Sequence, residues 1–239
     1  MIVAGFDLEA TGLDKVNDRP IEMAVSLWTT KFNRSLDTRA LFIKSEGVPV
    51  TGEITEITGI TQSMVDNFGY EPEEAYDEMI YFIDRAEALV AFNGKRFDVP
   101  MSQQWAKRLG KQFPDKFLID PFTDLPMRGQ ELITMCAKRG IYYDPHEAGA
   151  DVGAMLRLMG EFDFEVVLTR AKSPTVVVQS LQGRHENEKI KKHKFRWNPD
   201  RKIWWKAIKE MDIDDLARAV NGEFRLQILD LQPEDLEEQ

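Results

Sequence analysis

The stretch IVAGFDLEATG, residues 2–12, runs from an apolar segment into two carboxylates. Its first half reads as a buried strand. Side chains two apart on a strand share a face, about 7 Å from one another. Asp7 and Glu9 therefore point one way, and Phe6 and Leu8 the other. A solvated strand end could carry the same pair without consequence, so the meaning of the two acids depends on what else the chain brings to them.

Two further segments place acids where a bland surface would not, and a histidine precedes the second. Asp98 follows the apolar strand EALVAF and the loop NGKR, which begins at Asn93, and it opens a helix. Taken alone it reads as a helix cap and Asn93 as a turn residue. Asp151 lies in GADVGAMLRLMGEF with Met155, Leu158, Met159 and Phe162 on its own helical face, the stripe that packs on a core. A carboxylate there needs a cation or a hydrogen-bond donor, because burying it unpaired costs several kcal/mol. His146 precedes Asp151 by five residues, a rotation of about 140° within one helix. Pro145 and Gly149 put His146 instead in the loop entering that helix, from which it can reach the same cavity. Four acids drawn into one cavity repel unless cations lie between them. Carboxylate oxygens are the hard ligands that Mg²⁺ and Mn²⁺ take, and two such ions form the clamp used in phosphodiester cleavage.

Around these segments the chain alternates strands and helices. IVAGFDLE, IEMAVSLW and RALFIKS read as three strands of an antiparallel meander, because their links are too short for helical crossovers. EALVAFN and KFLID read as a fourth and a fifth. Helices are expected over EPEEAYDEMIYFIDR, VPMSQQWAKRLG, RGQELITMCAKRG and GADVGAMLRLMGEF, with short helical turns around Gly59. The expected class is α/β, a mixed five-stranded sheet flanked by helices, followed by a small C-terminal α+β module. TRAKSPTVVV reads as a linker leading into a new strand. The expected domains are residues 1–167, 168–228 and an acidic, disordered tail over 229–239.

Composition excludes several classes. Of 239 residues, 43% are hydrophobic and 30% charged, as in an ordinary globular protein. No apolar run approaches the roughly 20 residues of a membrane span, and Asp7 and Glu9 interrupt any export signal. Cys136 is the single cysteine, which excludes an internal disulfide or a thiolate zinc cluster and makes the reducing cytoplasm the expected compartment. The net charge is −10, yet residues 184–209 hold ten Lys/Arg against three Asp/Glu. That basic island decides the partner more than the sum does.

Taken together, the three motifs resemble those of the DEDDh (DnaQ-like) 3′→5′ exonucleases of the ribonuclease-H-like superfamily. FDLEATG is similar to the first motif, FNGKRFD to the second and HEAGAD to the third, in the family's order; EITEITGIT and LIDP are softer matches. The resemblance covers about residues 1–165. It implies that Asp7, Glu9, Asp98 and Asp151 hold two Mg²⁺ or Mn²⁺ ions, with Asp7 bridging them. It implies that His146 is the general base on the attacking water. Ala10, Thr11, Gly12, Leu13 and Asn93 fall at substrate-binding positions: Thr11 and Gly12 would meet the terminal nucleotide through the backbone, and Leu13 as an apolar wedge. Phe92 stands where many members carry His or Tyr, Ala10 where Thr is commoner, and Gly149 where a bulkier apolar residue is usual.

KFRWNPDRKIWWK, residues 194–206, reads as a hairpin turning at Asn198-Pro199-Asp200. Aromatics beside cations are what single-strand binding uses, although a small module also needs large aromatics in its core. Arg196, Trp197, Lys202 and Trp204 are the candidate nucleic-acid contacts, with Trp204 the exposed platform. The expected activity is 3′→5′ exonucleolytic release of nucleoside monophosphates from single-stranded DNA. The rivals are an RNA exonuclease resembling RNase T or oligoribonuclease, and a non-catalytic nucleic-acid-binding protein on the same fold, which would need one of the five catalytic positions lost. No membrane partner is expected; a polymerase or other replication partner is left open.

Overall fold

In a computed structural model, residues 1–127, 129–182 and 187–236 are described. The chain forms two compact units, Met1–Ala171 and Lys172–Gln239.

The first unit is built on five strands: β1 (Ile2–Ala10), β2 (Pro20–Thr29), β3 (Arg34–Phe42), β4 (Ala88–Val90) and β5 (Leu118–Ile119). Their order is β3-β2-β1-β4-β5. The β3-β2-β1 part is antiparallel, and β1-β4-β5 is parallel. Between β3 and β4 lie α1 (Gly52–Thr58), α2 (Gln62–Phe68) and α3 (Pro72–Asp84), with α4 (Asp98–Arg108) between β4 and β5. After β5 come α5 (Pro121–Asp124), α6 (Leu132–Ala137), α7 (Ala148–Gly160) and α8 (Phe164–Lys172). This is the mixed five-stranded sheet flanked by helices that the sequence leads one to expect.

Alternation along β1 sorts its side chains into two cores. Ala4, Phe6, Leu8 and Ala10 join Tyr76, Met79 and Phe82 of α3 and Met101 and Trp105 of α4. Pro72 and the acids Glu73 and Glu74 open α3, where the unpaired N–H groups favour them. Val3, on the opposite face, joins Val152, Met155 and Leu158 of α7 together with α6. Gly5 lies on that face too, and a β-carbon there would fall 2.8 Å from Leu156 Cδ1. The missing side chain lets α7 lie close on β1, which brings Asp151 to Asp7. β3 begins at Arg34, earlier than the apolar run RALFIKS suggests. It is an edge strand, exposed over most of its length, so its first half carries no hydrophobic pattern to read.

The second unit contains β6 (Thr175–Ser180), α9 (Asn187–Lys192), β7 (Arg196–Asn198), β8 (Ile203–Lys209), α10 (Ile213–Val220) and β9 (Leu226–Leu229). Its antiparallel sheet has the order β7-β8-β6-β9, so the unit is a βαββαβ sandwich of the ferredoxin-like kind. Three expectations are corrected here. The supposed linker over 169–172 is the last turn of α8, which an amphipathic pattern carries past the first unit's other helices. Trp204 is no platform: it is 3% exposed, packed with Ile190, Phe195, Leu216 and Val220 between sheet and helices. The acidic end is not free over 231–236, because Leu231 and Leu236 pack on Val177 and Trp205; residues 237–239 lie outside the described residues.

If Gly5 sets the approach of α7, Gly5→Ala should overpack the interface and cost about 1–3 kcal/mol. Urea or thermal unfolding of the variant reads that loss, and an unchanged midpoint contradicts the role given to Gly5.

Candidate active site

The acids of the three motifs meet at the carboxyl end of β1. Asp7, Glu9 and Asp151 each offer an oxygen within 4.8 Å of the others'. Asp98, the first residue of α4 and 3% exposed, lies outside that set of three but near enough for its charge to act on Asp7. Its Oδ1 accepts the Leu8 N–H at 3.1 Å. The short β4 explains that bond: its pairing with β1 stops at Gly5, so a side chain takes up the strand edge beyond.

His146 lies in the loop entering α7, exposed and with a left-handed φ of 67°. Its backbone N–H donates to Asp151 Oδ2 at 2.8 Å, which fixes the loop against the helix start. The hydroxyl of Tyr143 is near enough to Asp151 to favour its charged form. Asn93 has a φ of 56°, and its N–H donates to Asp120 Oδ1 at 2.7 Å, so the Asp of LIDP holds the loop that leads to Asp98.

The loop after β1 is organised by Asp18. Its Oδ1 accepts the Thr11 hydroxyl at 2.9 Å, and its Oδ2 the Asp14 N–H at 2.8 Å. A β-carbon on Gly12 would fall 2.4 Å from Oδ2, so only glycine fits. The Thr11 N–H is taken by Arg19 O at 2.9 Å, so of its backbone groups the carbonyl is the one left for a nucleotide contact. Ala10 is buried among the α3 and α4 side chains. Leu13 is 78% exposed, standing off the loop as a wedge would.

Sequence reasoning missed Glu22. It sits directly across from Glu9 on β2, is 6% exposed, and its Oε2 accepts the N–H of Ala148, the first residue of α7, at 3.0 Å. The signal was available: Glu22 is the only charged residue in the strand PIEMAVSLWT. Like charges opposite one another destabilise a sheet, and here the helix start offsets one of them.

The electrostatics follow. Burial first, then Asp98, Glu9, Asp151 and Glu22, hold Asp7 well above the usual carboxylate range. Burial, Asp151, Glu22 and Asp98 push Glu9 up to about 8. Burial raises Asp98 to about 7 against the Leu8 N–H, which favours its charge. Asp151 and Glu22 are also raised, chiefly by burial, each partly relieved by the backbone N–H it accepts. Carboxylates held close against their own repulsion are the donor set a divalent cation fits.

Of the C-terminal candidates, Trp197 stacks edge-on to Trp204 at 5.3 Å on the helix-covered face. Arg196 lies on the other face with its guanidinium 4.5 Å from the Trp205 ring. Lys202 is exposed in the turn, with a φ of 55°.

A sheet of this order, with acids from the end of its central strand and from the first turns of two helices gathered at one place, is the arrangement of the DEDDh class of ribonuclease-H-like nucleases. The model of the exonuclease family RNase_T matches residues 4–159, and the chain belongs to that family. Over 106 residues, 44% of this chain, it is 38% identical to a DNA polymerase III of PolC type from Caldanaerobacter subterraneus subsp. tengcongensis, of which the match covers 7%. The structure of E. coli exonuclease I in complex with a dA16 oligonucleotide is similar at a TM-score of 0.61 and 16% identity, over 74% of this chain and 47% of that one. The nuclease domain of 3′hExo, a DEDDh family member bound to rAMP, is similar at 0.57 and 19%, over 67% and 90%. The chain thus spans a small part of the polymerase and about half of exonuclease I.

Glu9 and Asp98 keep protons in the folded state at pH values where the unfolded chain has lost them. Stability without metal therefore falls as pH rises from the ordinary value of 4.5 for Glu9 toward its folded value of about 8. In EDTA the melting temperature should drop across that window, and Mg²⁺ or Mn²⁺ at its upper end should restore it; a flat profile contradicts the cluster. Glu22→Gln keeps an acceptor for Ala148 while removing a charge, and in EDTA it should raise the melting temperature by about 2–4 °C.

Proposed function

We propose that this protein is a 3′→5′ exonuclease that hydrolyses single-stranded DNA to nucleoside monophosphates with two divalent ions, Mg²⁺ or Mn²⁺. The observation that carries this reading is the convergence of Asp7, Glu9 and Asp151, whose oxygens lie within 4.8 Å of one another. Asp7, Glu9 and Asp151 would hold the ions, and Asp98 would complete the set from the α4 side. Bound there, the ions would supply the charge that stabilises the attacking and leaving oxygens of the phosphodiester. His146 accepts the proton of the attacking water. Its exposed loop position suits that role, since the imidazole can reach a substrate while its backbone stays tied to Asp151.

Leu13 and the Gly12 backbone receive the terminal nucleotide, on a loop that Asp18 keeps rigid. Asn93 lines the other side, held by Asp120. The second unit is an accessory nucleic-acid-binding module, supported by its basic island and by Arg196 and Lys202 on its surface. Single-stranded DNA is the substrate proposed and RNA is the alternative the assay must include; the basic module favours long polymers over dinucleotides, whichever the sugar. The reducing cytoplasm is the compartment proposed, on the single free thiol. Among the described residues no helix is long and apolar enough to cross a membrane.

The test uses single-stranded DNA and RNA labelled at either end, with Mg²⁺ or with EDTA. Mononucleotides should leave the 3′ end first, and EDTA should stop the reaction. Asp7→Ala should abolish activity, and His146→Ala should lower it at least about 10²-fold, the contribution of a general base. Products released from the 5′ end, or undiminished activity in EDTA, contradict the reading.

A further inference from the structure

We propose that the sheet face of the second unit turned away from α9 and α10 is a binding face for single-stranded nucleic acid, covered by the chain's own acidic C-terminal segment. The inference rests on the reading of this unit as a nucleic-acid-binding module, and it moves the contact from Trp204 to Trp205.

Register assigns that face. Trp197, Trp204, Val178 and Ile208 point to the helices. Arg196 pairs with Trp205, Trp205 with Gln179, and Gln179 with Gln227. These four residues form one row across all four strands, on the opposite face. The row holds a guanidinium 4.5 Å from an indole, then two amides joined by a 2.7 Å hydrogen bond. An indole and a cation stack a base and meet a phosphate, and amides pair with base edges. Four-stranded sheets with aromatics on their open face bind single strands in this way.

Trp205 is nonetheless 1% exposed. What lies over it is the segment after β9. Leu231 and Leu236 pack with Trp205, Val177 and Ile203, and Asn198 Nδ2 donates to Leu236 O at 3.1 Å. A single 3₁₀ turn, Pro233–Asp235, closed by reciprocal bonds between Gln232 and Asp235, shapes the segment. Residues 230–239 contain five Asp/Glu and no Lys/Arg, while residues 184–209 hold ten Lys/Arg. The segment therefore offers the module what a single strand offers, apolar groups for the indole and negative charge for the cations. Among the described residues, two leucines and one side-chain bond hold the segment, a small set of contacts of the kind that opens locally.

The test compares the full chain with a chain ending at residue 229. Both bind a 3′-blocked fluorescent oligodeoxythymidylate in EDTA, followed by anisotropy and by tryptophan quenching, with circular dichroism as the fold control. The shortened chain should bind about tenfold tighter, the gain of one base–indole stack, and Trp205→Leu in that chain should remove the gain. Replacing the five acids by their amides in the full chain separates simple charge repulsion from uncovering, and should give the smaller effect. If the shortened chain unfolds, Leu236→Ser with Asn198→Ala in the full chain loosens the cover and should raise affinity in the same direction. Equal affinities, or a gain that survives Trp205→Leu, overturn the inference. Arg196→Ala and Lys202→Ala together, in the full and the shortened chain, test the underlying reading: if they leave binding unchanged in both, the module itself does not bind nucleic acid. If they weaken binding while uncovering changes nothing, only the cover is wrong.

Discussion

The structure of the first unit depends on a repulsion it does not relieve by itself. Asp7 and Glu9 share the face of β1 that also meets α7, so every contact that packs α7 on the sheet pushes Asp151 toward two other acids. Asp98 is drawn in because the strand edge beyond β4 leaves the Leu8 N–H for it. Backbone donors temper the clash at Asp98, Asp151 and Glu22, and the raised pKa values of Glu9 and Asp7 record what is left over. A fold that holds acids together against their repulsion presents the oxygen donor set that a divalent cation fits.

Much of this was legible in the sequence, for physical reasons. β1 could be read because it is buried on both faces except where its acids begin, and α7 because its apolar stripe fixes which way Asp151 looks. The loop position of His146 followed from Pro145 and Gly149. The start of β3 was not legible, since an exposed edge strand has no buried face to set a pattern. Glu22 was overlooked because a single acid in a strand acquires meaning only from its neighbour across the sheet, and register is a tertiary fact. The same holds for Thr11, whose N–H is taken by a residue eight positions on.

The second unit shows the limit more sharply. Alternation along the hairpin separated Trp204 from Trp205 correctly but could not say which face the helices cover. That choice is made by α9 and α10, which lie outside the hairpin. The tail over 231–236 looked too polar to pack, and two leucines sufficed to seat it. In a unit this small a few apolar residues decide whether a segment is ordered, and composition averages them away.

The most direct measurement of the central claim is Mn²⁺ binding to the purified protein, counted by electron paramagnetic resonance or calorimetry in the absence of nucleic acid. The account predicts saturable binding at the Asp7, Glu9 and Asp151 cluster that is lost in Asp7→Asn while the circular dichroism stays unchanged. Binding that is absent, or that persists undiminished in Asp7→Asn, would mean that these acids are gathered for some purpose other than holding a metal.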